Sequence, residues 1–377
     1  MKILTTHVGS LPGPPGLDAD APSEGVALTD AVRWVVDEQR AAGLDIVNEG
    51  ELTKAGDWLS FMDSRLGGFE ERPTPVGGSI LMKGKDREEF ADFYRHAAER
   101  QTLFFTPDNR IKARRRYTVA TSPISYTGMD ALQREIEVFR SVAGNAEQCF
   151  LTSTAPSSLE PYRGNAYYKT SEEFVWALAD AMRVEYEAIA AAGFLLQVDD
   201  AWLVALWDRI GIAMGIEAFK KHCLTRVDAL NHALRHVPIE RVRYHFCWGS
   251  WHGPHAYDLP FADMVEVMLA VNAKFYSFEA ANVRHEHEWR VWESVKLPAG
   301  KVIMPGVVTH STDLIEHPDL VSERIQRFAA LVGPENVIAS ADCGFGGRSH
   351  PQIAWAKLKS LTEGAALASR ALGGVRS

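Results

Sequence analysis

Short apolar runs alternate with amphipathic helical segments along nearly the whole chain of 377 residues. Such alternation is typical of βαβ units, in which a helix returns the chain so that the next strand can lie parallel to the last. Two stretches, residues 29–51 and 170–200, each read as a helix ending in Ala-Ala-Gly followed by an apolar run that ends in carboxylates. The pattern predicts an α/β fold with a mainly parallel sheet.

The two helices carry recognisable boundary signals. Thr29 is predicted to cap the first helix, which ends at Gly43, where a glycine can adopt the left-handed backbone conformation that follows many helices. Thr170 and Glu173 form a capping box at the start of the second helix, which ends at Gly193. Both helices are therefore bounded, as expected for units of a barrel rather than for one long rod.

Eight runs qualify as strands of one sheet, which predicts a single (β/α)8 TIM barrel over residues 1–377. They are Lys2–Val8, Leu44–Glu51, Gln148–Ser153, Phe194–Asp200, Arg241–Phe246, Lys274–Phe278, Lys301–Val308 and Asn336–Ala341. A ninth run, Arg116–Ile124, follows a polar stretch and is assigned to an inserted hairpin and helical excursion after the second strand, at about residues 66–130. Residues 11–28, rich in proline and glycine, are predicted to form an irregular loop at the rim of the active site.

Composition and charge exclude several classes of protein. The net charge of -9 disfavours a phosphate backbone as partner, and the one basic run, Lys112–Arg116, is interpreted as a solvated loop or hairpin edge. We therefore predict no binding to nucleic acid. No apolar run has the roughly 20 residues needed to cross a bilayer, and no signal peptide is recognisable, which predicts a cytoplasmic protein. Four scattered cysteines do not suggest a disulfide framework, so they are free to bind a metal ion or to pack in the core.

Seven of the eight predicted strands end in ionisable groups, at the end of a barrel where catalytic residues collect. His245 and Cys247 lie two apart in the fifth strand, so both side chains face the same side. Zinc accepts imidazole, thiolate and carboxylate ligands in a tetrahedron, and Glu279 and Cys343 at the ends of later strands supply two more. The pattern indicates a Zn²⁺ site, while a core histidine and two buried cysteines stay open as the simpler interpretation.

These motifs resemble those of the cobalamin-independent methionine synthase family, in its catalytic C-terminal domain. The motifs VGS, GE, VDD, His-x-Cys, FE, THS and DCG occur here in the family's order and at compatible spacing, over nearly the whole chain. The segment FCWGSWHGPH departs from the family's pattern, as does Asp200, where the family usually has Glu. The resemblance implies a zinc-dependent S-alkyltransferase that activates a thiol for methyl transfer in methionine biosynthesis.

Carried over residue by residue, the resemblance implies roles for eight side chains. The implied metal ligands are His245, Cys247, Glu279 and Cys343, the implied catalytic acid is His310, and the implied contacts to the thiol substrate are Ser10, Glu51 and Asp199. The partners are then a small-molecule thiol similar to homocysteine and an alkyl donor, in the first place a methyl donor. Two carboxylates suit an ammonium group on that thiol. The sequence is compatible with a monomer or a homo-oligomer.

Two alternatives stay open. The short chain is also similar to epoxyalkane:coenzyme M transferases, which add a thiol bearing a sulfonate to an epoxide, and Arg348 is the candidate cation for such a sulfonate. An alternative of a different class is a metal-free barrel lyase of the uroporphyrinogen decarboxylase type. Among the other histidines, His252 and His255 are interpreted as shaping the loop after the fifth strand, and His285 and His287 as beginning a charged outer helix.

Overall fold

The computed structural model describes residues 1–16, 26–54, 59–75, 79–103 and 116–373. Seven strands form one parallel sheet in the order β1-β10-β9-β8-β7-β6-β4. They are β1 (Leu4–Thr5), β4 (Phe150–Thr154), β6 (Leu195–Asp200), β7 (Val242–Phe246), β8 (Phe275–Phe278), β9 (Val302–Val308) and β10 (Ile338–Ala341). Each coincides with a predicted strand.

The remaining predicted strand, Leu44–Glu51, is the second along the chain. It forms only a short β-bridge, which closes the barrel. Ile46 N donates to Thr5 O (3.0 Å), and Val47 N donates to Gln148 O (3.1 Å), so this segment joins the two edges of the sheet. Beyond Val47 the backbone leaves the ladder because Asn48 N donates to the side chain of Gln39 at 2.9 Å instead. The predicted length of this strand is wrong, but the predicted (β/α)8 architecture is confirmed.

Helices follow the strands and cover the outside of the barrel. The eleven α-helices in the described ranges are α1 (Val26–Ala41), α2 (Lys85–Glu89), α3 (Ala91–Arg100), α4 (Met129–Ala143), α5 (Pro156–Leu159), α6 (Ser171–Ala191), α7 (Ile212–Met214), α8 (Ile216–Leu234), α9 (Phe261–Leu269), α10 (Pro318–Val332) and α11 (Pro351–Gly373). A 3-10 helix, Glu286–Glu293, stands between β8 and β9 where a TIM barrel usually has an α-helix. Seven shorter helical segments of the described ranges complete the connections: six 3-10 turns at Ser60–Ser64, Ile80–Met82, Ala146–Gln148, Glu160–Tyr162, Ile239–Arg241 and Pro334–Asn336, and one π-helical turn at Trp207–Gly211.

The helix boundaries follow the sequence signals in part. Thr170 Oγ1 accepts a hydrogen bond from Glu173 N at 3.0 Å, as predicted for the cap of α6. The predicted start of α1 after Thr29 is wrong, because the helix begins at Val26. Ala27 and Leu28 are strong helix formers and extend α1 toward its amino end. Of the predicted loop at 11–28, residues 17–25 lie outside the described residues.

The excursion forms a second, three-stranded sheet next to the barrel. Strand β2 (Leu66–Glu71) pairs antiparallel with β3 (Thr118–Tyr126), and β3 pairs parallel with β5 (Arg163–Asn165). The predicted hairpin is thus confirmed, whereas β5 was not predicted. Of the basic run, residues 112–115 lie outside the described residues, and Arg116 is exposed with Nη1 3.5 Å from Glu71 Oε2.

The core has two parts, one between sheet and helices and one inside the barrel. The inner cluster comes from alternate strand positions at the amino ends: Ile46, Phe150, Leu195, Val302, Met304 and Ile338. Two residues further along the strands, the same alternation gives buried polar side chains: Thr152, Gln197, Arg243, Ser277 and Ser340. The floor of the barrel is therefore apolar, and its polarity rises toward the carboxyl ends of the strands. In the described ranges, no helix is both long and apolar enough to cross a lipid bilayer.

Candidate metal centre and active site

Three of the predicted metal ligands lie together at the carboxyl ends of the strands. One ligand atom each from His245, Cys247 and Cys343 lies within 4.8 Å of the others, and all three residues are buried. His245 belongs to β7, Cys247 follows it by two residues, and Cys343 follows β10. An irregular register between Ser340 and Ala341 of β10 precedes Cys343. This group has the ligand chemistry and the closeness that a metal ion needs.

The imidazole of His245 is oriented by a carboxylate. Asp199 Oδ1 lies 3.0 Å from His245 Nδ1, and Gln197 Nε2 donates to the same oxygen at 2.8 Å. His245 Nε2 is buried and has no hydrogen-bond partner within the described part of the chain. A neutral His245 ring that donates to the Asp199 carboxylate has its proton on Nδ1. The lone pair is then on Nε2, an arrangement typical of metal-binding histidines.

The two cysteines differ in their tendency to ionise. A hydrogen bond from Cys247 holds the pKa of the Cys343 thiol well below its ordinary value; burial opposes this, and Arg348 and His245 reinforce it. Burial, together with the neighbouring Cys343 sulfur, raises the pKa of Cys247 well above its ordinary value. Two adjacent buried thiols do not both ionise unless a cation offsets their repulsion. The residues present therefore fit a bound divalent ion.

Glu279, the fourth predicted ligand, does not belong to this group of three. Its Oε1 lies 3.4 Å from Cys247 Sγ and accepts hydrogen bonds from Trp248 N at 3.1 Å and Ser250 Oγ at 2.9 Å. Its Oε2 accepts from Asn282 Nδ2 at 2.8 Å. The carboxylate is thus next to the cysteines but is fully engaged by protein donors.

The predicted substrate contacts surround this group on the side of strands β1, β4 and β6. Glu51 has a left-handed backbone (φ 62°), and its Oε1 accepts from Thr152 Oγ1 at 3.0 Å. Burial raises the pKa of Glu51 to about 8; Lys54 acts in the opposite direction, and Asp199 adds to the increase. Asp199, predicted to contact substrate, is also the partner of His245.

Ser10 lies beside the loop that carries Cys343. Its carbonyl oxygen accepts from Phe345 N at 2.8 Å and from Gly346 N at 3.1 Å. A Cβ on Gly344 would lie only 2.9 Å from Ser10 Cβ, so the two loops need a glycine at this contact. Ser10 is half-buried, and these contacts hold it beside the loop that carries Cys343.

His310 stands at the end of β9, on the other side of the group. Its Nε2 donates to Ser250 O at 3.3 Å, while Nδ1 is buried and has no partner among the described residues. Burial lowers the pKa of His310 to about 4; Cys343 opposes this and Arg348 adds to it. A carbonyl can only accept, so the neutral ring has its proton on Nε2 and an open lone pair on Nδ1.

Arg348 reaches the same site from the loop before α11. Its Nη1 donates to Ser250 O at 3.0 Å and to Cys343 Sγ at 3.3 Å. The guanidinium is half-buried and so places a fixed positive charge next to one of the cysteines. From the sequence, Arg348 was predicted only as a candidate cation for a sulfonate.

A cavity of about 480 Å³ opens beside Glu279 and His310. The loop after β7 contributes the largest share of its wall, and Phe93 of α3 also lines it. The lining residues from that loop are Ser250, Trp251, His252, Gly253, Pro254, His255 and Asp258. The space is large enough for a small molecule to approach the side chain of His310.

Two histidines of the cavity wall form a buried ion-pair chain. Asp258 Oδ2 lies 2.9 Å from His255 Nδ1 and 3.2 Å from His285 Nε2, and Glu288 Oε2 lies 2.7 Å from His285 Nδ1. A charged 3-10 helix does begin here, with His285 at its N-cap as predicted, but only 3% of His285 is exposed, so its predicted place on an outer helix face is wrong. Its neighbour His287 is exposed, as predicted. No sequence signal marks Asp258 as the residue between two histidines.

Comparisons with known proteins agree with the motif resemblance. No family model matches the chain. The methionine synthase of Sulfurisphaera tokodaii is 22% identical over 379 residues, which cover 96% of this chain and 91% of that protein. The methionine synthase of Saccharolobus solfataricus is 24% identical over 341 residues, covering 90% of this chain and 83% of that protein.

Solved structures share the fold. A B12-independent methionine synthase from Shewanella sp. W3-18-1, in complex with selenomethionine, has a TM-score of 0.72 at 18% identity, with 100% of both chains covered. A Listeria monocytogenes protein described as a vitamin-B12-independent methionine synthase has a TM-score of 0.65 at 18% identity, with 97% of this chain and 98% of that chain covered. The predicted resemblance is confirmed: over most of its length, the chain is similar to proteins of the cobalamin-independent methionine synthase family.

Proposed function

We propose that this protein is an enzyme that transfers a methyl group to the sulfur of an amino-acid thiol similar to homocysteine, as its methionine synthase relatives are named to do. The observation that carries the proposal is the buried group of His245, Cys247 and Cys343, with the unpartnered nitrogen of His245 among thiols. The resemblance over most of the chain supports the same reaction class. A metal-free barrel lyase would have no use for this ligand group.

The residues proposed to hold a Zn²⁺ ion are His245, Cys247, Cys343 and Glu279. A bound zinc ion would supply the positive charge that keeps a substrate thiol ionised at neutral pH. Asp199 fixes the ring of His245, and Trp248 N and Ser250 hold Glu279 beside Cys247. The chain thus orients its ligands with hydrogen bonds from outside the ligand set.

Glu51 and Asp199 are proposed to bind the ammonium group of the thiol substrate. Both carboxylates lie at the strand ends next to the ligand group, and an ion pair there fixes the direction of the thiol as well as binding it. The selenomethionine complex of the Shewanella relative supports a ligand with an amino-acid backbone. The partners proposed are therefore this thiol and a small methyl donor.

His310 is proposed to protonate the group that leaves when the methyl carbon is attacked. Because the Nε2–H of His310 donates a hydrogen bond to Ser250 O, the ring must be protonated at Nδ1 and donate to the leaving group from there. Its Nδ1 has no partner among the residues that the structure describes, so it is available to the leaving atom of a donor in the adjoining cavity. The acid and the thiol then act on opposite ends of the breaking bond.

Metal content and thiol consumption test the proposal together. The purified protein should contain about one zinc per chain, and Cys343→Ser should lose metal affinity by more than the 10–100-fold typical of outer partners. Cys149→Ser is the matched control, since Cys149 is equally buried but its Sγ contacts Ala143 O at 3.6 Å instead. Thiol loss is measured with methylfolate, methylcobalamin and simple epoxides as donors. Full thiol consumption by a metal-free protein would refute the role proposed for zinc, and a metal-free protein that consumes no thiol with any donor would favour a lyase.

The position of Arg348 favours a second candidate function, in which coenzyme M is the thiol and is added to an epoxide. The guanidinium lies 3.3 Å from Cys343 Sγ, within reach of an anionic group on a bound thiol. Arg348→Gln should then weaken coenzyme M binding and leave homocysteine binding unchanged, whereas Glu51→Gln should do the reverse.

The single-domain organisation over residues 1–377 and the cytoplasmic location stay predictions.

A further inference from the structure

The loop between Cys247 and Leu259 has an unusually strained backbone. Ser250 and His255 have φ of 48° and 52°, and Gly249 has φ of 96°. A non-glycine residue with a positive φ is strained and persists only where its surroundings hold it. The strain in this loop therefore needs a set of fixed contacts.

The excursion supplies these contacts. Trp251 Nε1 donates to Tyr94 OH at 3.0 Å, and His252 N donates to Leu103 O at 2.6 Å. Ala256 N donates to Asp86 Oδ1 at 2.9 Å. Three points of the loop are thus fastened to residues 86–103, which determines where the side chain of His252 is placed.

His252 faces His310 across the cavity. The two ring centroids are 6.5 Å apart, and both side chains line the same space. In the described part of the chain, the ring of His252 has no hydrogen-bond partner, and the residue is half-buried, whereas His310 is buried. Two hydrogen bonds through one water span roughly 5 Å, and rings with centroids 6.5 Å apart can be joined in this way where a nitrogen of each faces the other.

We propose that His252 is a proton-relay residue, which resupplies His310 with a proton after each methyl transfer. The inference rests on the proposed function, because only a reaction with a basic leaving atom consumes that proton. His252 acts through His310 and does not contact the thiol.

The proton balance is complete. The sulfur–carbon bond forms as the bond from the methyl carbon to the donor breaks, and the electron pair of that bond stays on the leaving atom. That atom takes the Nδ1 proton of His310. His252 then releases a proton from one ring nitrogen, through water, to His310 Nδ1, and takes another from solvent at its second nitrogen.

The charges around His252 favour passing a proton over storing one. Burial lowers the pKa of His252; Arg348 from the loop before α11 and His255 from its own loop add to this, and Asp313 from the loop after β9 opposes it. His310 itself faces Cys343, Glu279 and Arg348. A neutral imidazole has one donor and one acceptor nitrogen, which is what a relay requires.

The test compares His252→Gln and His252→Ala with His96→Gln, an exposed histidine of α3. In the zinc-loaded enzyme, both His252 variants should lose about 10–100-fold in kcat, since positioned acid–base groups contribute roughly 100-fold or more. The KM for the thiol should not change. The loss should deepen as pH rises, and added imidazole should restore part of kcat in His252→Ala. His96→Gln should behave as the wild type.

Each outcome has a definite meaning. Wild-type kcat in His252→Gln between pH 6 and 9 would overturn the relay while leaving the proposed function intact. A raised KM or lost zinc in the variants, with no rescue by imidazole, would overturn it in favour of a structural role. If the wild-type protein methylates no thiol with any donor, the proposed function fails first and the relay with it.

Discussion

Asp199→Asn removes the charge that orients His245 without removing its hydrogen bonds. Gln197 Nε2 donates both to Val8 O and to Asp199 Oδ1. The atom of the asparagine side chain that faces Gln197 Nε2 must therefore be the amide oxygen and not the amide nitrogen. The asparagine oxygen will therefore accept from Gln197 and from His245 Nδ1 as the carboxylate oxygen does. What changes is the charge on the acceptor.

The size of the effect follows from that single charge. A hydrogen bond to a charged partner contributes about 1.5–3 kcal/mol, against about 0.5–1.5 kcal/mol for a neutral one. The difference of about 1.4 kcal/mol corresponds to a tenfold change in affinity. Loss of an outer partner of a metal-binding histidine typically costs 10–100-fold. We expect Asp199→Asn to weaken zinc binding by roughly 10- to 30-fold.

The assay is competition for zinc against a chromophoric chelator at fixed pH. Asp200→Asn is the matched control, because Asp200 accepts from Ser157, Ser158 and Tyr244 and has no hydrogen bond to His245. It should bind zinc within twofold of the wild type. Equal zinc affinity in Asp199→Asn and the wild type, or an equal loss in both variants, would refute the role given to the Asp199–His245 contact.

Two further predictions concern Glu51 and Arg65. Glu51 has a pKa raised to about 8, so its carboxyl group is protonated in the free enzyme at pH 7. Binding of a substrate ammonium should therefore release a proton, and the affinity for the substrate should increase as pH rises toward 8. Calorimetry in two buffers of different ionisation enthalpy should show this proton release, and Glu51→Gln should lack it. The guanidinium nitrogens of Arg65 lie 2.6 Å from Glu135 Oε2 and 3.1 Å from Glu185 Oε2. Arg65→Met leaves both buried carboxylates without this cation and should lower the free energy of unfolding, measured by urea titration, by about 3–5 kcal/mol. Arg95→Met breaks an exposed pair of carboxylate contacts and should change it by less than about 1 kcal/mol; equal losses would contradict the argument from burial.

The side chains at the strand ends or just beyond them were predictable from the sequence, and the loop residues that hold them in place were not. Alternation in β7 places His245 and Cys247 on one face, and a parallel barrel brings the ends of its strands together. Ser250 and Asn282, which hold Glu279, come from loops whose backbone depends on contacts with distant segments. No local sequence pattern predicts the hydrogen bond from His252 N to Leu103 O, which joins segments far apart in the chain.

Strand register explains the one contact that changes the interpretation of a predicted residue. Asp199 of β6 and His245 of β7 are direct partners in the parallel ladder, so their side chains lie next to each other on the inward face. The motif order alone assigned Asp199 to the substrate and His245 to the metal. Once the two strands are aligned, the carboxylate must contact the imidazole whatever else it binds. A charge that orients the metal ligand and attracts an ammonium group couples the two sites, so removing it should weaken both together.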